Sequence, residues 1–313
     1  MDVKRKIRKK PTSLWLQEKL ERILEMTDIA CKKYPGDFIE PDYGFWSLKK
    51  EIALMYWIWP FLQIASKYFK HYYYIDLFSG SGLVKADSSF FVGSPLVAIC
   101  STLPDKKFTQ FVCFEVNNDR KNSLEKRTAI AAEKHETCQP KIFNADCNQN
   151  IKNILEECCP SYKSCYLAFI DPQGFTDLKW NTIEQLLKHG KGDIILNFPT
   201  YGINRNMNIE RSKNSLTEFF GDNLWCDKTN SEELIKHYMN KIASFGKAVD
   251  NVTVKDGSNH TLYDLIFATG SSGMNNVMTD LKSILEKIKT KDFQKMLQVL
   301  AGPQEQLIRY NKM

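Results

Sequence analysis

The chain has 313 residues, 43% hydrophobic and 26% charged, with a formal net charge of +6 at pH 7. That balance provides apolar material for a sizeable core and excludes wholesale disorder; the mild basicity permits a polyanionic partner without requiring one. The longest apolar stretch, Ile52–Ala65, is interrupted by Pro60 and Gln63 and is too short to span a bilayer, so no membrane is expected.

The N-terminus, Met1-Asp2-Val3-Lys4-Arg5-Lys6, is basic but lacks the apolar run and cleavage site of a secretory signal, so a cytoplasmic location is expected. Nine cysteines, an odd number with no Cys-x-x-Cys pair and with Cys158 and Cys159 adjacent, read as reduced thiols. No metal site is expected.

Taken in chain order, residues 13–33 form an amphipathic pattern with Ser13 as a helix N-cap and Tyr34-Pro35-Gly36 as the stop. A second helical stretch, rich in aromatics, runs from Phe45 to Phe69 and is expected to break near Pro60. Short apolar runs then alternate with helical patterns. Strands are expected at Tyr72–Phe78, Phe108–Val116, Lys141–Asn144, Cys165–Ile170 and Asp193–Phe198. Helices are expected at Gly93–Leu103 (N-cap Ser94, then Pro95), Asp119–Lys134, Cys147–Cys159 and Trp180–His189, the last closed by Gly190. Strands with intervening helices imply a parallel sheet. After a helical, irregular stretch at 203–245, Ala248–Lys255 and Thr261–Thr269 read as a hairpin, followed by helices near 274–289 and 291–300. The expected fold is α/β: a Rossmann-like class I methyltransferase fold, a mostly parallel seven-stranded sheet ending in an antiparallel hairpin. The expected division is an N-terminal helical region (1–70), the α/β domain (71–270, with 203–245 inserted) and C-terminal helices (271–313).

The chemistry gathers at strand ends. Tyr74-Ile75-Asp76-Leu77-Phe78-Ser79-Gly80-Ser81-Gly82 closes the first strand with a glycine turn, where the backbone approaches a ligand. A carboxylate at Asp76 repels a phosphate and suits an ammonium. S-adenosylmethionine carries an ammonium and no phosphate, so it is the expected cofactor, and a nicotinamide oxidoreductase is disfavoured. Asp76, Phe78, Gly80 and Gly82 are the expected contacts at its methionine end. Glu115, ending the second strand, is placed to accept the ribose hydroxyls. It lies further along the chain than the roughly 20 positions of a simple dinucleotide fingerprint, and Leu83–Val92, read as an inserted loop near the site, accounts for the excess. Asp146 suits an adenine amino group and equally a helix N-cap.

The fourth strand ends in Ile170-Asp171-Pro172-Gln173-Gly174-Phe175 and the fifth in Asn197-Phe198-Pro199-Thr200-Tyr201-Gly202. Asp171-Pro172 is similar to the Asp/Asn-Pro-Pro-aromatic motif of amino-methyltransferases, with Gln173 replacing the second proline and Phe175 arriving late. Asp171, Asn197 and Tyr201 are therefore the expected catalytic residues, with Asp171 also facing the cofactor. Pro172, Phe175 and Arg205 are expected at the substrate. No Gly-x-Ser-x-Gly elbow or phosphate-binding Gly-Lys-Ser/Thr loop is present.

In this order, Trp46–Lys50, Tyr74–Gly82, Gly93–Leu96, Phe114-Glu115, Ile170–Gly174, Leu196–Pro199, Asn204-Arg205-Asn206, and Leu265–Thr269 with Gly273 resemble the three-Cys-motif partner protein family over roughly residues 45–275. The resemblance implies a methyltransferase-like fold and a three-cysteine-motif protein as partner. It supplies no substrate. Ser79 and Ser81 stand where many relatives have Ala and Pro. Two readings follow: a methyltransferase with nucleic acid favoured as acceptor, or a non-catalytic partner module that keeps the fold.

Overall fold

The computed structural model describes residues 12–33, 42–86, 89–160, 162–256 and 258–287. Helix α1 (Thr12–Lys33) leads to a short strand β1 (Asp42–Tyr43) and the long helix α2 (Leu48–Tyr68). Ser13 lies inside α1 rather than at its cap. The expected stop at 34–36 and the helix at 291–300 lie outside the described residues.

Helix α2 runs unbroken through Pro60, contrary to the expected break. Proline withholds one N–H and crowds the preceding turn. Here Trp57, Ile58, Phe61 and Leu62 are all buried around it, and this apolar contact outweighs the local cost.

Strand β2 (His71–Asp76) enters the main sheet. The segment expected to be a loop is a hairpin, β3 (Leu83–Ala86) and β4 (Ser89–Val92), which joins β1 in a separate three-stranded sheet. Its alternation is masked in the sequence because Leu83, Ala86, Phe91 and Val92 are all buried. Helix α3 (Ser94–Cys100) has Gly93 as its N-cap, one residue before the expected cap Ser94, and stops before Leu103.

The remaining elements are β5 (Gln110–Phe114), α4 (Asn118–Lys134), β6 (Lys141–Phe143), α5 (Cys147–Cys158), β7 (Ser164–Ile170), α6 (Trp180–His189) and β8 (Lys191–Phe198). The irregular stretch resolves into α7 (Thr200–Asn206), α8 (Lys213–Phe220) and α9 (Ser231–Ala243). Strands β9 (Ala248–Lys255) and β10 (Thr261–Thr269) form the expected hairpin, and α10 (Ser272–Lys287) follows.

The main sheet has the order β6-β5-β2-β7-β8-β10-β9. Every pairing from β6 to β8 is parallel, and β10 is antiparallel to both neighbours. Both faces are covered, as a parallel sheet requires. Along β7, Cys165, Leu167 and Phe169 pack towards α1–α3 and α10, whereas Tyr166, Ala168 and Ile170 pack towards α5, α6, α8 and α9. This two-sided burial explains why the strands read as continuous apolar runs. All nine cysteines are free thiols. Among the described residues no cluster of potential metal ligands occurs, and no helix is long and apolar enough to cross a membrane.

Candidate cofactor and acceptor site

In an open parallel sheet the carboxyl ends of the strands form the crevice. In sheet order those ends carry Asp146 after β6, Glu115 after β5, the glycine turn after β2, Asp171 after β7 and Asn197 within the end of β8. At the usual spacing between strands this row extends about 19 Å, room for an extended nucleoside with an amino-acid tail.

The glycine turn is held from inside. Asp76 is fully buried. Its carboxylate accepts from the Tyr74 hydroxyl at 2.8 Å and from the Phe78 N–H at 3.2 Å. Burial pushes its pKa up to about 6, against hydrogen bonds from Ser94 and Tyr74 that hold it down. Asp76 therefore shapes the turn rather than offering an open carboxylate to a ligand ammonium. Gly80 and Gly82 have φ of 61° and 82°, in the left-handed region where side chains are strained. At Gly82 a Cβ would also lie 2.8 Å from a Leu96 methyl and 3.0 Å from one of Leu124. The wholly buried Arg127 of α4 donates to the Ser81 carbonyl at 2.7 Å and clamps the turn from below. Phe78 is half-buried beside the turn.

At the next strand end, Glu115 Oε1 accepts from the Asn117 N–H at 2.8 Å, and Asn144 ties down the Glu115 and Val116 carbonyls. The second oxygen, Oε2, has no donor among the described residues. Val116, next in sequence, is an apolar side chain left 66% exposed. Asp146 caps α5: its Oδ1 accepts from the Asn148 backbone at 2.8 Å and side chain at 3.0 Å. Its Oδ2 has no protein donor among the described residues. The cap reading and an open acceptor thus hold together on one side chain.

Asp171 is not a free carboxylate. Lys50 of α2 reaches both its oxygens, at 2.8 and 2.6 Å, across 121 residues of sequence. Asn197 Nδ2 donates to Asp171 Oδ1 at 2.8 Å and to the Pro172 carbonyl at 3.4 Å. Two acceptors facing Nδ2 fix which end of the amide is nitrogen. Asn197 Oδ1 then points away, buried and without a partner. The Lys50 ammonium also lies 5.5 Å from the centre of the Tyr263 ring.

Glu51, beside Lys50, carries a further orphan oxygen. Its side chain as a whole is partly buried, but Oε2 is shielded from solvent and has no partner. Desolvation, reinforced by Asp171, raises its pKa to about 8. At neutral pH it is therefore largely a protonated acid.

The substrate-side expectations separate. Tyr201 is exposed on α7, with the Arg205 guanidinium 5.4 Å from its ring centre. Pro172 is buried, and its carbonyl helps orient Asn197. Phe175 is in the packing beneath the site: its ring belongs to the core formed with α6 and α8. Sequence reasoning missed Lys50, Glu51 and Val116. Lys50 and Glu51 look like an ordinary charged first turn of a helix. Val116 carried a usable signal, an apolar residue directly after an acidic strand end.

No family model matches the sequence, and no curated protein matches it. Solved structures do resemble the fold. A protein from Legionella pneumophila str. Philadelphia 1, of the family model DUF519, aligns with 77% of this chain and 91% of its own at 11% identity and a TM-score of 0.50. An O-methyltransferase from Bacillus cereus in complex with SAH aligns over 84% and 93% at 9% identity and a TM-score of 0.38. Trm1 from Pyrococcus horikoshii, with S-adenosyl-L-methionine, aligns over 73% and 58% at 11% identity and 0.38. The likeness concerns the fold. With its strand order and antiparallel β10, this is the Rossmann-like class I methyltransferase fold.

Proposed function

We propose that the chain is an S-adenosylmethionine-dependent methyltransferase acting on an amine acceptor. One observation carries this reading: at the carboxyl ends of β6, β5 and β8 of a class I sheet, Asp146, Glu115 and Asn197 present acceptor oxygens without protein donors among the described residues. Buried polar atoms are ordinarily paired, so the Asn197 oxygen, shielded from solvent and unpaired, supports a place for a ligand's donor, and the second oxygens of Glu115 and Asp146 are open to others. The donors of the cofactor match the row in order. Glu115 would hold the ribose hydroxyls and Asp146 the adenine amino group, with exposed Val116 against the base. Phe78, Gly80 and Gly82 would line the methionine end on the turn shaped by Asp76.

When bound, the cofactor supplies an electrophilic methyl group on a sulfonium. The protein's part is alignment, worth about 7–11 kcal/mol when two reactants are held in line. Asn197 Oδ1 accepts an N–H from the acceptor and turns its lone pair towards the methyl. Asp171 holds Asn197 in that orientation. It takes the proton the amine loses once Lys50 releases one of its oxygens. The exposed Tyr201 ring and Arg205 lie on α7, which follows β8, and suit a base and a phosphate, and the net charge of +6 agrees with a nucleic acid as acceptor class.

The test is calorimetric titration of S-adenosylmethionine into wild type and Glu115→Ala, then labelled methyl transfer to DNA, RNA and protein. Binding that is lost in the variant, followed by label in nucleic acid, supports the reading. Bound cofactor with no incorporation into any acceptor sinks the catalytic part.

One observation favours a second reading, a non-catalytic module that partners a three-cysteine-motif protein. Lys50 occupies both oxygens of Asp171, and Gln173 stands where a second proline is expected. Asp171→Ala separates the two: an enzyme loses turnover, whereas a module keeps its complex.

A further inference from the structure

The opposite end of the sheet from the crevice holds a cavity of about 330 Å³, at the amino-terminal ends of β7 and β8. That volume is within the range of small-molecule sites. The end of α2 and the start of α10 wall it with Phe61, Ile64 and Met274, and Phe245 closes it from the turn before β9. Two charged side chains also line it, Asp193 on β8 and Lys247 on the turn into β9.

Asp193 is buried. It accepts from the Trp57 indole N–H at 3.0 Å and from Thr269. Lys247 donates to the Gly192 carbonyl at 2.5 Å, its one hydrogen bond among the described residues. An ammonium has three donors, so Lys247, partly buried, has donors left for a guest. Burial lowers its pKa, and burial raises that of Asp193 to about 6. The two feel each other's charge, yet no ion pair joins them among the described residues. A cation and an anion therefore face one cavity without touching.

That arrangement selects its ligand. A guest with a single charge would leave the lining with an unbalanced charge in a poorly solvated space, which is costly. A guest bearing both charges completes both partners, and the apolar wall takes the rest. We infer that this cavity binds a free α-amino acid with an apolar side chain, its carboxylate on Lys247 and its ammonium on Asp193. Beyond Gly246, at φ 76°, a Cβ would meet nothing within 4 Å, so the turn leaves open space at the Lys247 end.

The probes are L-phenylalanine and L-leucine, titrated calorimetrically into the full chain, alongside 3-phenylpropionate and phenethylamine, which each lack one charge. The expected result is binding of an amino acid at one site per chain, with both single-charge analogues weaker by about tenfold or more. Lys247→Met keeps the apolar stem, abolishes this binding, and leaves the response to S-adenosylmethionine unchanged. Asp193→Asn loses the same binding but also disturbs the Trp57 contact, so the lysine variant decides if the aspartate variant fails to fold. No heat with either amino acid overturns the inference. So does retained affinity in Lys247→Met, or equal affinity for 3-phenylpropionate.

Discussion

Asn197 and Asp264 are near neighbours on paired strands: Asn197 opposes Leu265, and Phe198 opposes Asp264. Both are buried polar residues at the same end of the sheet, and they are treated oppositely. Asp264 is saturated. It accepts from the Thr200 hydroxyl, from Asn251 at 3.0 Å and from Thr253 at 2.6 Å. Those donors pin the start of α7 and strand β9 to β10. Asn197 is answered on its nitrogen and unanswered on its oxygen. A saturated network fixes the fold, whereas a half-answered one is costly unless something outside the chain completes it. On the proposed reading, the boundary between framework and site runs between two near neighbours on paired strands.

If Asp264 is framework, its loss should give the largest effect. Asp264→Ala strands three donors and is expected to cost about 3–5 kcal/mol, read from denaturant unfolding. A cost below 1 kcal/mol would erase the contrast with Asn197. On the ligand side, Glu115→Ala should weaken S-adenosylmethionine about 10- to 100-fold, the value of one or two charge-assisted hydrogen bonds, with stability barely changed. A variant that binds normally would remove Glu115 from the site.

Glu51 sharpens the comparison through pH. In the unfolded chain its carboxyl releases its proton near 4.5, whereas the folded protein retains it to about 8. The folded state binds more protons across that window, so this group lowers stability as pH rises through it. Glu51→Gln should remove that slope. The variant is expected to match wild type at pH 5 and to be more stable by about 1–3 kcal/mol at pH 8, a value discounted for partial exposure. Parallel pH profiles would show that the carboxyl is solvated. A small stability change is also expected at Asn197 itself. Asn197→Leu should cost about 1 kcal/mol or less, because its oxygen has no bond to lose and Lys50 still holds Asp171, while methyl transfer falls steeply. A large unfolding cost with intact turnover would make Asn197 framework like its neighbour.

Much of the fold was legible because its signals are local. The hairpin at Ala248–Lys255 and Thr261–Thr269 and the helix Trp180–His189 agree with expectation to the residue, since strand alternation, apolar helix faces and Gly190 are set by near neighbours in sequence. Pro60 misled because its cost is local and its compensation is tertiary. Leu83–Val92 misled because a hairpin buried on both faces loses the period-two pattern. At the site, the acidic strand ends were readable, but their states were not. Asp146 caps α5 and keeps a second oxygen without a protein donor among the described residues, Asp76 is turned inward, and Phe175 lies in the core.

The sequence alone therefore determined the order of elements, the glycine turn with its two left-handed residues, and the polar residues at each strand end. These depend on backbone period and conformation, which residue types dictate over a few positions. Only the tertiary structure decided which of those polar groups are already answered. Lys50 meets Asp171, Asn197 keeps an orphan oxygen, and Asp193 and Lys247 share a cavity without pairing. Each outcome depends on where packing places side chains far apart in the chain, and hydrogen-bond satisfaction is a property of that arrangement.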